Sequence, residues 1–109
     1  MVSANTLSMQ VNLFVSGRKL KDLDTFSKSD PQCRLLEWKN NQWTAIAQTE
    51  TIQNNLNPDF ATSFTIGYFF EKVQKFKFQM VDVDGVNPNN FDLIGETEVT
   101  MGNLMGAPK

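Results

Sequence analysis

The amino-acid sequence predicts an all-β fold, an antiparallel β-sandwich, as a single domain over residues 1–109. Short runs rich in β-branched and aromatic residues alternate between apolar and polar positions, which is the period of a strand. Gly, Pro and Asn residues separate these runs, and we find no convincing helical pattern beyond one turn near residues 71–74. Many short strands joined by turns are typical of two packed sheets. The 40% hydrophobic content is sufficient for one sizeable core.

The first strand-like run covers residues 8–16 and places Met9, Val11, Leu13 and Val15 on one face. A long irregular stretch follows, and after it come two runs that end at Trp38 and begin at Trp43. The two residues at the centre of the connection are Asn40 and Asn41, and Asn tolerates the left-handed backbone angles of a tight hairpin turn. In this register Trp38 faces Trp43 across the hairpin, as a structural pair.

Residues 60–70, FATSFTIGYFF, are rich in aromatic and β-branched side chains. We interpret this run as a core strand, with Phe60, Phe64, Ile66 and Tyr68 as core candidates, because large rings dominate protein cores.

The next strand ends in an oxygen-rich loop at residues 81–95. Asp82 and Asp84 are two positions apart on this strand, so both leave it on one face. Two like charges held close together repel unless a cation lies between them, and calcium prefers carboxylate and carbonyl oxygens. A solvated Asp/Asn/Gly turn is the alternative interpretation. The EF-hand pattern fails here, since Leu93 stands where that pattern requires glutamate.

A second oxygen-rich loop, residues 17–31, contains Asp22, Asp24 and Asp30. The connections of a β-sandwich cluster at its two ends, so this loop and the loop at residues 81–95 can meet at one end. Periodicity alone does not establish whether they do.

Composition excludes several classes of function. The net charge of -2 gives no support to a nucleic-acid partner. Histidine is absent, which excludes Ser-His or Cys-His catalysis and a Cys/His zinc site within this chain, and we expect no enzyme activity. The single cysteine, Cys33, suits a reducing compartment, and the N-terminus lacks a signal-peptide pattern, so we expect a cytoplasmic protein.

Four motifs occur together in this chain: DLDTFSKSDP at residues 22–31, TET followed by LNPDF within residues 49–60, YFFE at residues 68–71, and DVD followed by DLIG within residues 82–95. In this order and spacing they resemble a C2 domain, and more narrowly the first C2 domain of the copine family. The resemblance covers nearly the whole chain and implies a Greek-key β-sandwich that binds Ca²⁺ between loops at one end and then docks on phospholipid.

Carried over position by position, the resemblance implies metal ligands in both loops. Additional candidate ligands are the main-chain carbonyl beside Leu23 and the side chains of Asn87 and Asn90. The five carboxylate candidates are Asp24, Asp30, Asp82, Asp84 and Asp92.

The resemblance also implies a function, that of a calcium-dependent module that docks its parent protein on anionic membranes. A calcium-independent protein-interaction module is the alternative. Candidate membrane-binding residues are Phe26, Val86 and Phe91, although Phe26 and Phe91 could instead fold back over the core. A lateral basic patch, whose alternative is a solvated strand face, would comprise Lys72, Lys75 and Lys77.

The C-terminal segment GNLMGAPK contains no further strand-like run, whereas a copine-like first C2 domain continues to a last strand beside the first. We therefore expect this chain to be a fragment of a longer multidomain protein, or to pair at an open sheet edge with another copy.

Overall fold

The computed structural model describes residues 8–20, 29–69, 72–83 and 90–106. Within these ranges the chain forms six strands and one short helix. The elements are β1 (Ser8–Leu13), β2 (Pro31–Lys39), β3 (Gln42–Gln48), β4 (Phe64–Phe69), β5 (Lys75–Val83), β6 (Phe91–Thr100) and α1 (Met101–Gly106).

The strands form two antiparallel sheets, which confirms the prediction of an all-β sandwich. One sheet has the order β3-β2-β5-β6, and the other consists of β1 and β4. Among the described strands, β1 and β4 pair only with each other, so each has one unpaired edge. Beside β1, a cavity of about 690 Å³ opens between the sheets and is lined by Leu13, Phe78, Met80 and Ile94 among others. The edge-pairing hypothesis stays a prediction.

The β2–β3 hairpin forms as predicted. Asn40 and Asn41 have φ angles of 51° and 62°, in the left-handed region that Asn tolerates. Trp38 lies directly opposite Trp43, and the two rings meet edge to face with centroids 5.3 Å apart. This hairpin tip marks one end of the four-stranded sheet.

The core lies between the two sheets. Phe60, Phe64 and Ile66 are buried in it, and Tyr68 packs against it half-buried, as the sequence predicts. Burial also raises the pKa of the Cys33 thiol to about 11, so this cysteine is a protonated core residue at neutral pH.

Helix α1 was not predicted. Thr100 Oγ1 accepts a hydrogen bond from the Asn103 backbone N–H at 3.1 Å, which is the contact of a helix N-cap. Met101 anchors the helix, since its side chain is 1% exposed and its N–H donates to the Gln74 carbonyl at 2.8 Å. Two glycines in a six-residue segment obscure this pattern in the sequence. The described residues include no helix with the length and apolar character that crossing a bilayer requires.

Candidate functional site

Three strand ends meet at the end of the four-stranded sheet that lies away from the β2–β3 hairpin. Pro31, the first residue of β2, pairs with Asp82 near the end of β5. Asp82 pairs in turn with Asp92 near the start of β6. The antiparallel register therefore brings Asp30, Asp82 and Asp92 to the same end of the sandwich, where the two acidic loops of the sequence begin or end.

Asp82 is held by the backbone that precedes β2. The Asp30 N–H donates to Asp82 Oδ1 at 2.9 Å, and the Val83 N–H donates to the Asp30 carbonyl at 3.1 Å. Asp82 is 5% exposed, so its carboxylate is largely removed from water. This reciprocal pair of hydrogen bonds fixes the spacing between the residue before β2 and the last residues of β5.

Asp30 is held by the connection between β3 and β4. The Asn54 N–H donates to Asp30 Oδ1 at 2.7 Å, and Asn54 adopts a φ of 52° to present that N–H. The Asn55 N–H donates to the Ser29 carbonyl at 3.0 Å, so the connection runs alongside the residues that precede β2. The signal for the connection's role was the paired Asn residues, which favour left-handed backbone angles.

The same β3–β4 connection also holds the segment after β1. The Lys19 N–H donates to Asn57 Oδ1 at 2.8 Å, and the Leu20 N–H donates to the Leu56 carbonyl at 2.9 Å. Arg18 forms an ion pair with Asp59 at 2.7 Å. Residues near both ends of the loop at residues 17–31 are therefore anchored to the β3–β4 connection.

On the β6 side of the loop at residues 81–95, the predicted ligands that the structure describes are Asn90 and Asp92, and both are exposed. Asp92 lies opposite Asp82, so the two carboxyl side chains leave the sheet on the same face. The remaining predicted site residues lie outside the described residues, namely Leu23, Asp24, Phe26, Asp84, Val86 and Asn87.

The aspartates at this end carry carboxylates, the hard oxygen ligands that calcium prefers. Asp82 and Asp92 carry like charges at directly opposed positions, which a cation would relieve. Within residues 8–20, 29–69, 72–83 and 90–106, no group of three or more Asp, Glu, Cys or His side chains is placed to hold a metal. By chemical type, the aspartates present fit calcium.

Phe91 lies on the face of the four-stranded sheet that is turned away from the core, and 41% of its surface is exposed. The Arg34 guanidinium carbon lies 3.8 Å from the centre of its ring. Phe91 pairs across the ladder with Val83, which is only 8% exposed. We call the end of the sandwich where Asp30, Asp82 and Asp92 lie the acidic end. The Phe91 ring lies at this end, and one of its faces is covered by the Arg34 cation.

The three lysines of the predicted basic patch have different surroundings. Lys77 Nζ lies 3.6 Å from Glu96 Oε2 and 4.6 Å from the centre of the Trp43 ring, and the Lys77 side chain is 13% exposed. Lys72 Nζ lies 5.1 Å from the centre of the Phe69 ring. Lys72 and Lys75 are exposed, whereas Lys77 is enclosed by its partners.

Comparison with known proteins identifies the fold. The C2 domain family model matches residues 8–109. The chain is 43% identical to Copine-E of Dictyostelium discoideum over 106 residues, which cover 91% of this chain and 18% of that protein. It therefore spans about a fifth of that relative's length.

Solved structures with low sequence identity share the architecture. A human GIVD cytosolic phospholipase A2 structure superposes with a TM-score of 0.72 at 15% identity, over 93% of this chain and 14% of that chain. Extended-Synaptotagmin 2, in a calcium-bound structure of two of its C2 domains, superposes with a TM-score of 0.66 at 20% identity, over 90% of this chain and 35% of that chain. Family match and shared architecture agree, and the chain belongs to the C2 domain family.

Proposed function

We propose that this domain is a calcium-dependent phospholipid-binding module that docks its parent protein on anionic membranes. The observation that carries the proposal is the meeting of Asp30, Asp82 and Asp92 at one end of the sandwich, within a hydrogen-bonded framework. Similarity to Copine-E supports it, and so does the calcium-bound state of the Extended-Synaptotagmin 2 structure.

Asp30, Asp82 and Asp92, together with the predicted ligands Asp24 and Asp84, would hold the ion. Bound calcium would reduce the negative charge of the acidic end and offer coordination positions to lipid phosphate oxygens. Without the ion, clustered carboxylates repel an anionic surface, because such a surface carries a negative potential. The Asn54 and Asp30 N–H groups hold two of the carboxylates in place, which reduces the ordering that ion binding requires.

Contacts to lipid would come from both loops. Phe26, Val86 and Phe91 are the proposed inserting side chains, of which the described Phe91 would exchange part of its exposed surface for lipid. Lys75 lies at the opposite end of β5 from Asp82, so Lys72 and Lys75 would form a separate lateral basic patch and would not add to this contact. The proposed location is cytoplasmic, with peripheral membrane association when calcium rises.

One observation favours the second candidate function, a calcium-independent protein-interaction module. Oxygens of Asp30 and Asp82 already accept backbone hydrogen bonds, so these aspartates contribute to the fold even without an ion.

Vesicle co-sedimentation separates the two functions. We expect the protein to sediment with phosphatidylserine-containing vesicles in calcium and to remain in the supernatant in EGTA. Neutral phosphatidylcholine vesicles are the control and should retain little protein in either condition. Sedimentation with anionic vesicles that is equal in calcium and in EGTA would contradict the proposal.

A further inference from the structure

The ladder between β5 and β6 has an unfavourable pair next to its last pair. Asp82 and Asp92 are directly opposed, and like charges at opposed positions destabilise a strand pair. Only one further pair, Val83 with Phe91, lies between these aspartates and residues 84–89. In the absence of a cation, the end of this ladder therefore needs support from elsewhere.

Arg34 supplies a contact at this point from the neighbouring strand β2. Its guanidinium carbon lies 3.8 Å from the centre of the Phe91 ring, a cation–π geometry. Its Nε donates to Gln32 Oε1 at 3.1 Å, and Gln32 Nε2 donates to the Thr49 carbonyl at 3.1 Å. Gln32 and Thr49 are buried, so the guanidinium is anchored on side chains and backbone that are removed from water.

These contacts form a continuous path across the sheet from the end of β3 to the start of β6. Cys33 N–H also donates to Thr49 Oγ1 at 2.9 Å, which fixes Thr49 to β2. Val83, the cross-strand partner of Phe91, is 8% exposed. Val83 is thus largely removed from water, and one face of the Phe91 ring is covered by Arg34, directly beside the opposed aspartates.

We propose that Arg34 is a positioning residue for the cation site. By holding Phe91 against the sheet, it keeps Asp92 opposite Asp82 before the ion binds. This inference rests on the proposed calcium-binding function and adds a residue that is not itself a ligand. Arg34 acts through Phe91, since Phe91 directly precedes Asp92 in the chain.

The direction of the effect distinguishes positioning from simple electrostatics. A positive charge near a calcium site repels the ion, so removal of Arg34 for electrostatic reasons alone would strengthen calcium binding. Loss of a positioning contact would weaken it, because the ion would then have to order the end of the ladder. The two roles therefore predict opposite changes in the calcium dissociation constant.

Isothermal titration of the lipid-free protein with calcium tests the proposal. We expect Arg34→Met to weaken binding about threefold to tenfold, the range that a cation–π contact of moderate strength implies. Phe91→Leu should weaken it similarly, and the double variant should be no weaker than either single variant, because both remove the same contact. Arg34→Lys keeps a cation that can stack on the ring and should recover part of the loss.

Lys39→Met is the matched control, since Lys39 is an exposed cation of β2 at the hairpin end, paired with Glu37 at 3.3 Å. It should leave calcium affinity unchanged. Amide hydrogen exchange without metal provides a second measurement, in which Arg34→Met should speed exchange at Val83 and Phe91 but not in the β2–β3 hairpin.

Unchanged or tighter calcium binding by Arg34→Met would overturn the positioning role while leaving the proposed function in place. A wild-type protein that binds no calcium in the same titration would overturn the proposed function and, with it, this role of Arg34.

Discussion

Asp82→Asn is expected to abolish calcium-dependent sedimentation with anionic vesicles while leaving the fold intact. Asparagine has nearly the same shape and keeps the side-chain oxygen that accepts the Asp30 N–H, so the framework between β2 and β5 should survive. The substitution removes one negative charge from the donor set, and calcium affinity depends on the number of charged ligands. We expect calcium to bind at least about tenfold more weakly, a loss of about 1.4 kcal/mol or more.

The matched control is Glu37→Gln, which removes one negative charge from β2 near the hairpin, at the opposite end of the sheet. Circular dichroism and thermal unfolding should be similar for wild type and both variants. Calcium-dependent vesicle binding by Asp82→Asn at the wild-type level would show that the acidic end is not the calcium site.

Glu50→Gln is expected to destabilise the domain by about 1–2 kcal/mol at neutral pH, the range of a lost charge-assisted hydrogen bond at a partly exposed position. Glu50 Oε2 accepts the Ala61 N–H at 2.6 Å, and Oε1 accepts the Thr62 N–H at 3.1 Å. These contacts close the base of the β3–β4 connection that holds Asp30. A glutamine has one acceptor oxygen and would place an NH₂ group against the second backbone N–H.

The effect should depend on pH in a defined direction. The backbone hydrogen bond from Ala61 is the main cause that lowers the pKa of Glu50 from 4.5 to about 2. Because the folded-state pKa is depressed, the contribution of Glu50 to stability is fully present above about pH 4.5 and is lost as the pH falls toward 2. The stability difference between wild type and Glu50→Gln should shrink over that window.

Urea unfolding of both proteins at a series of pH values measures this difference in the free energy of unfolding. The other carboxylates are the same in both proteins, so their contributions cancel in the difference. Glu98→Gln, a change of the same kind at an exposed position of β6, is the control and should show a small difference at every pH. A Glu50→Gln difference that stays constant from neutral pH to pH 2 would show that the carboxylate does not close the connection.

Local pattern was sufficient to predict most of the fold. The alternation in β1 and β5, the Asn40–Asn41 turn and the Trp38–Trp43 pair each follow from the period of a strand and the backbone preferences of Asn. Helix α1 was missed because its stability comes from Met101, which packs into the core, and not from the helix propensity of its residues.

The sequence predicts that the two acidic loops can meet at one end of the sandwich, but it does not predict the contacts that hold Asp30 and Asp82 there. Asn54 lies 24 positions from Asp30 in the chain, and its N–H reaches the carboxylate only because the β3–β4 connection folds back along β2. Arg34 lies on β2 and Phe91 on β6. Their side chains can meet because these two strands flank β5 in the sheet. Contacts of this kind depend on sheet order and side-chain direction, which periodicity does not specify.

Calcium titration of the ¹⁵N-labelled, lipid-free protein, followed by amide chemical shifts, tests the central claim most directly. If calcium binds at the acidic end, saturable shift changes should concentrate at Asp30, Asp82, Val83 and Asp92, while the amides of Trp38 and Trp43 stay nearly unchanged. The absence of saturable changes at the acidic end, or changes centred on the β2–β3 hairpin, would contradict the account.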